Sequence, residues 1–112
     1  MKFTRDTKIK EMKSKCKKHI ISGIDVTLKD SNNSIEHFDL TLEDQINLNN
    51  LKYKITLEGM TNVEFHCKNG PFRYYSKNDI LTILKRSDEH ILYHNSYFNS
   101  LKQYIKNLND YN

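Results

Sequence analysis

Few residues in this chain have the types and spacing that catalysis or metal binding requires. His90 and His94 lie four residues apart, a spacing at which two imidazoles on one helix can bind zinc. The run around them lacks an HExxH pattern, so we interpret both as ordinary histidines at the edge of the core. His66 and Cys67 are consecutive in a predicted strand, where neighbouring side chains point to opposite faces, so they are not expected to pair as base and nucleophile. We predict no catalytic residue, no metal site, no cofactor and no enzymatic activity.

Basic residues are concentrated at the start of the chain. Residues 1–23 contain eight Lys or Arg against two Asp or Glu, whereas the other residues contain ten against twelve. Lysines around a helix can offer a surface to an anion or a nucleic acid. They also suit the solvated side of an amphipathic helix, and we favour that interpretation because no aromatic side chains alternate with them. The candidate anion-binding residues are Lys8, Lys10, Lys13, Lys17 and Lys18.

Length and composition limit the class of protein. A chain of 112 residues with 37% hydrophobic and 29% charged residues is typical of one soluble domain with a modest core. No apolar run approaches the roughly 20 residues of a membrane-spanning helix, and the basic N-terminus lacks the apolar core of a signal peptide. Cys16 and Cys67 fit no metal-ligand spacing and are expected to be reduced thiols. We therefore expect no membrane partner and no small-molecule substrate.

The elements that position these residues follow from apolar spacing and turn residues. Residues 5–22 predict a basic amphipathic helix that Gly23 ends. Residues 24–75 predict two hairpins around a second helix, with Thr41 as its N-cap. The pattern leaves open whether the two hairpins join as one small antiparallel sheet. The stripe of the first helix consists of Ile9, Met12, Cys16 and Ile20. The apolar face of the second helix is expected to consist of Leu42, Ile46, Leu51 and Ile55, with Leu48 and Tyr53 at its border.

Residues 76–109 predict one long helix, with Ser76 as N-cap and Asp79 in its first turn. Roughly 30 residues at about 1.5 Å each give a rod of about 45–50 Å. A compact domain of this length is roughly 35 Å across. Either the helix breaks near Ser87 or its second half projects from the body. The predicted fold is α+β, a single small domain in the order α-ββ-α-ββ-α with a long C-terminal helix.

The second half of this helix has an apolar and aromatic seam. Tyr93 and Phe98 are expected to lie in the core. Tyr104 lies beyond what a small domain can bury, and tyrosine is enriched in interface cores, so the contact segment is expected to run from Tyr97 to Leu108. We favour a contact surface for another chain over a helix folded back on its own domain. The predicted partner-binding residues are Tyr97, Phe98, Leu101, Tyr104, Ile105 and Leu108.

Three stretches carry a resemblance to a known family. Residues 25–28 read D-V-T-L, residues 37–48 read H-F-D-L-T-L-E-D-Q-I-N-L, and residues 93–101 read Y-H-N-S-Y-F-N-S-L. This pattern is similar to that of uncharacterised domains in tail-region proteins of bacteriophages and prophages, and the similarity extends over about residues 8–105. Within it, Asp44 and Gln45 are interpreted as fold determinants, with Gln45 tying the second helix to the hairpin backbone.

The resemblance implies that the protein belongs to a phage tail, and it implies no catalytic mechanism. It implies a structural or assembly protein of the phage tail, at the baseplate or fibre end, that binds other tail proteins or further copies of itself. Its location would be the virion and, during assembly, the cytoplasm of the bacterial host. The alternative from the charge distribution is a small nucleic-acid-binding regulatory protein that uses the basic first helix.

Overall fold

A computed structural model describes residues 2–109, with side chains from residue 5 to residue 108. Within this range the chain has three α-helices, four strands and a 3-10 turn, and it measures 57 × 28 × 22 Å. The α+β class, the order α-ββ-α-ββ-α and the long last helix are confirmed. The elements are α1 (Lys2–Ile21), β1 (Ile24–Leu28), a 3-10 turn (Lys29–Ser31), β2 (Ser34–Phe38), α2 (Leu42–Thr56), β3 (Asn62–Phe65), β4 (Arg73–Ser76) and α3 (Lys77–Asn109).

The two hairpins stay apart as two antiparallel two-stranded sheets, β1–β2 and β3–β4. The joining into one sheet that the sequence leaves open does not occur between these strands. The amide of Lys68 donates to the carbonyl of His37 in β2 at 2.8 Å. Because Lys68 lies past the end of β3, this bond does not start a ladder between the sheets. Arg73 of β4 adds a side-chain link, since its guanidinium lies 2.6 Å from the Glu36 carboxylate of β2.

Three aromatic rings form the centre of the core and bring both hairpins together. The rings of Phe38 and Phe65 stack with centroids 5.8 Å apart. Tyr75 meets both rings edge-on, at 6.1 and 6.3 Å, and is 1% exposed. Ile80 and Ile83 of α3 are fully buried in the same core. Each such side chain contributes roughly 1.5–3 kcal/mol to folding, so this cluster accounts for much of the attraction between hairpins and helix.

The start of α2 is fixed as the sequence predicts. The Thr41 hydroxyl oxygen accepts a hydrogen bond from the Asp44 amide at 3.2 Å, and the Asp44 carboxylate accepts one from the Thr41 amide at 3.1 Å. This reciprocal pair is a capping box. The Gln45 amide group donates to the Leu40 carbonyl at 3.1 Å. Gln45 therefore ties α2 to the chain leaving the first hairpin, as predicted.

The buried face of α2 differs from the prediction. Leu48, Leu51 and Ile55 are buried, whereas Leu42 and Ile46, which were expected to face the core, are 73% and 53% exposed. Both sets recur at helical spacing, but on opposite sides of the helix. Periodicity alone cannot decide which of two apolar stripes is buried, and packing against α3 buries the stripe of Leu48, Leu51 and Ile55.

The last helix is continuous through Ser87. Ser87 is 3% exposed, and its hydroxyl donates to the Ile83 carbonyl at 2.7 Å, so it bonds back into the helix and does not cap a new one. At the helix start, the Ser76 hydroxyl oxygen accepts from the Asp79 amide at 3.1 Å, which confirms the predicted N-cap. The buried Asp79 carboxylate also accepts from the Ser31 hydroxyl at 2.8 Å. This bond anchors the turn of the first hairpin to α3.

Candidate interaction surface

The first helix packs along α3, and its residues Cys16 and Ile20 belong to the same core cluster as the aromatic rings. The Cys16 thiol donates to the His94 carbonyl, with sulfur and oxygen 3.4 Å apart. The imidazoles of His19 and His94 stack with centroids 5.2 Å apart, and the Nε2 atom of His90 lies 3.0 Å from the His19 carbonyl oxygen. The half-buried His90 and His94 and the exposed His19 thus lie at the junction of the two helices. Because α1 runs beside the second half of α3, it covers part of the predicted seam.

A groove of about 250 Å³ lies between these two helices. From α1 it is lined by Lys8 and Met12, and from α3 by Tyr97, Phe98 and Leu101. Its floor is apolar and its α1 rim is charged. Three predicted partner-binding residues of α3 therefore meet α1 of the same chain at this groove.

The six predicted partner-binding residues divide into two rows. The first row is half-buried and consists of Phe98, Leu101 and Ile105. Phe98 and Leu101 line the groove beside α1. In the second row Tyr97, Tyr104 and Leu108 are 57%, 61% and 49% exposed. The sequence predicts these six residues as one seam, whereas the fold separates them into a covered row and an outward row.

Tyr93 extends the outward row, contrary to the prediction that it lies in the core. Its side chain is 63% exposed, and its ring stacks on that of Tyr97 with centroids 6.4 Å apart. Spacings of four and seven residues keep Tyr93, Tyr97 and Tyr104 on one side of α3. We call these three residues the tyrosine strip. The strip borders the groove and faces away from the core, because the core side of α3 is already occupied by Ile91 and Phe98.

The five predicted anion-binding lysines are all exposed, but they do not form one surface. Lys8 lines the groove. Lys10, Lys13 and Lys17 follow one another at spacings of three and four, so they share the other flank of α1. Lys18 points between these directions, away from the stripe of Cys16 and Ile20. The flank with three lysines is the largest contiguous basic part of α1 among these residues.

The histidines at the junction of α1 and α3 are packing groups. Burial lowers the pKa of His94, and the neighbouring His90 and His19 lower it further. Its imidazole is therefore neutral near pH 7, which suits its stacked position. Across residues 2–109, His, Cys, Asp and Glu side chains do not form a group of three or more that could hold a metal ion.

Sequence reasoning missed a polar cluster around Glu36. Its carboxylate accepts hydrogen bonds from Arg73 at 2.6 Å and from the Tyr75 hydroxyl at 2.7 Å. The Arg73 guanidinium also lies 3.7 Å above the centre of the Tyr75 ring. The one sequence signal is alternation, since Glu36 shares a strand face with the buried Phe38, and an inward-facing acid needs partners. Its partners lie 37 and 39 residues away, beyond the reach of any local pattern.

The cluster shifts the pKa values of its members and of a nearby thiol. Burial raises the pKa of Glu36, but hydrogen bonds from Tyr75, Arg73 and Ser34 outweigh it, so the net pKa lies below the ordinary value. Burial, followed by the Glu36 carboxylate, raises the pKa of Cys67. The thiol is therefore protonated near neutral pH and is a weak nucleophile. This geometry stabilises the fold and does not activate a reacting group.

Comparison of the chain with protein-family models, with curated proteins and with solved structures gave no match. In the part of the chain that the structure describes, no helix combines the length and the apolar character needed to cross a membrane. The arrangement of side chains on α1, α2 and α3 is therefore the basis for the functional proposals that follow.

Proposed function

We propose that this protein is a non-enzymatic structural or assembly component of a bacteriophage tail, in the baseplate or fibre region, and that it binds other tail proteins. Two features support the proposal. The sequence resembles phage tail-region domains over residues 25–48 and 93–101. The second of these stretches contains Tyr93 and Tyr97, so the resemblance and the exposed tyrosine strip meet on the same part of α3.

The tyrosine strip is the single observation that carries the proposal. Tyrosine brings a large apolar face and a polar hydroxyl, so it tolerates water before binding and packs well afterwards. Tyr97 also lines the groove beside Phe98 and Leu101. A partner segment seated on the strip would therefore reach apolar side chains in the groove. Aromatic anchors next to a pocket are the arrangement that concentrates binding energy in protein interfaces.

Particle composition tests this proposal. Phage particles are purified from cells that supply wild-type protein, the Tyr97→Ser/Tyr104→Ser variant, or Tyr74→Ser as matched control. Tyr74 is 66% exposed but lies on β4, away from the strip. Mass spectrometry should find the wild type and the control in tails, and the strip variant reduced by at least about tenfold. Equal incorporation of all three proteins would contradict the role of the strip, and absence of the wild type from tails would contradict the virion assignment.

A second candidate function rests on the exposed flank formed by Lys10, Lys13 and Lys17. Three neighbouring cations can neutralise phosphates. Each neutralised phosphate of duplex DNA adds about −0.9 to the slope of log affinity against log salt concentration. A gel-shift titration with duplex DNA and with single-stranded RNA at low salt would show retarded complexes, and replacing all three lysines with Gln would abolish them. Free migration of both nucleic acids with the wild type would remove this candidate.

A further inference from the structure

A stripe of apolar side chains on α2 faces solvent, although the helix already has a buried face. Its members recur at spacings of four, seven and four residues, which places them on one side of the helix. They are Leu42, Ile46, Tyr53 and Leu57, exposed by 73%, 53%, 55% and 73%. We call them the α2 stripe. Scattered apolar residues are common on protein surfaces, but an aligned set along a whole helix is typical of an interface.

The α2 stripe is symmetric about its own midpoint. Leu42 and Leu57 lie at its two ends, and Ile46 and Tyr53 lie at equal distances inside them. The midpoint falls between Asn49 and Asn50, both exposed. In an antiparallel pair related by a two-fold axis, each residue meets its mirror position on the other copy. Leu would then face Leu, Ile would face Tyr, and the asparagines would meet each other at the centre.

Charges beside the α2 stripe select the same arrangement. Glu43 lies in the first turn of α2 and Lys54 in the last. Their separation of eleven positions amounts to about three turns, so both lie on the same flank of the stripe. A two-fold axis keeps that flank on one side, and each Glu43 then lies close to Lys54 of the other copy. A parallel two-fold pair would instead put the two flanks on opposite sides of the interface, so neither Glu43 would lie beside Lys54 of the other copy.

We propose that the α2 stripe is a self-association surface on which a second copy of this chain packs antiparallel across a two-fold axis. The occupant is a second copy because the spacing of the stripe is unchanged on reversal and its flanking charges are complementary to their own reversal. This surface is separate from the tyrosine strip on α3, so it leaves the strip open to a different partner. The inference does not depend on the phage-tail proposal.

Sedimentation of the purified full chain tests the inference. The wild type is expected to shift from monomer to dimer with rising concentration, up to about 1 mM, where even weak pairs are populated. Ile46→Gln/Tyr53→Gln should remain monomeric over the same range. The matched control is Ile35→Gln/Tyr74→Gln, whose positions are 70% and 66% exposed on the hairpins, and it should dimerise like the wild type. A wild type that stays monomeric, or a stripe variant that still dimerises, would overturn the proposal.

Charge reversal tests the antiparallel arrangement. Glu43→Lys should weaken the dimer by at least about tenfold, because it places a lysine close to Lys54 of the other copy. Glu43→Lys/Lys54→Glu should restore it. Circular dichroism would verify that each variant is folded. If Tyr97→Ser/Tyr104→Ser dissociates the dimer while the α2 variants do not, the two copies meet through α3 and the proposal fails.

Discussion

Replacing Glu36 should loosen the two hairpins, because its carboxylate is a major side-chain link between the separate sheets. The Glu36 side chain is 17% exposed and that of Arg73 is 36% exposed. Leaving a fully buried cation without its partner costs about 3–5 kcal/mol, and the partial exposure of Arg73 reduces this to roughly 1–3 kcal/mol. Since Tyr75 also loses a charged acceptor, we expect Glu36→Gln to lower the free energy of unfolding by about 2–3 kcal/mol.

Urea unfolding followed by far-ultraviolet circular dichroism measures this loss. Tyr75→Phe removes only the hydroxyl and should cost about 1.5–2 kcal/mol. Because both changes remove the same hydrogen bond, the double variant should lose about 1 kcal/mol less than the sum of the two. Glu64→Gln, at an exposed position of β3, is the control and should stay within about 0.5 kcal/mol of the wild type. Strict additivity of the two changes would refute the link.

Acid provides an independent check on the same carboxylate. The pKa of Glu36 in the folded protein lies below the ordinary value of 4.5. Its contribution to stability is therefore present above pH 4.5 and is lost as the pH falls through the folded pKa. The stability difference between the wild type and Glu36→Gln should shrink on acidification below that value. A difference that stays constant down to about pH 2 would show that the carboxylate is not ionised in its cluster.

Three further changes test the local structure. Gly23→Ala should cost more than about 1 kcal/mol, seen as a lower urea midpoint, because Gly23 has φ of +83° and an added Cβ would overlap the Phe38 carbonyl. Thr41→Ala should cost about 1 kcal/mol by removing the N-cap of α2, and an unchanged midpoint would contradict that role. A hydrogen bond to Asp25 raises the pKa of His37, so its contribution is full below about pH 6.5 and is lost as the pH rises through the folded pKa. His37→Gln should therefore lose more stability at pH 5.5 than at pH 8.5 in paired melts.

The starts of α2 and α3 and the end of α1 were predictable because their signals are local. Thr41 and Ser76 bond to amides within three residues, and Gly23 adopts its left-handed conformation at the end of α1. These interactions depend on the neighbouring sequence alone. The order of the elements follows from these local signals, and so does the great length of α3.

Which elements of the fold pack against one another was not predictable from the sequence. Asp79 has a local explanation as a first-turn acid, so nothing in the pattern requires its bond to Ser31, 48 residues away. Tyr93 fits a helical apolar pattern equally well inside or outside the core. For α2, either of two opposite stripes satisfied the spacing. In each case, whether a surface is buried depends on which other element packs against it, and that depends on the whole fold.

The packing of α1 on α3 has a consequence for synthesis on the ribosome. Cys16 and its acceptor at His94 are 78 residues apart. At about 5–20 residues per second, a ribosome needs roughly 4–16 s to extend the chain between them. During that interval the stripe of Ile9, Met12, Cys16 and Ile20 has been made and its partner helix has not. The emerging first helix is thus a stretch of the nascent chain on which a chaperone can act, and completion of α3 ends that exposure.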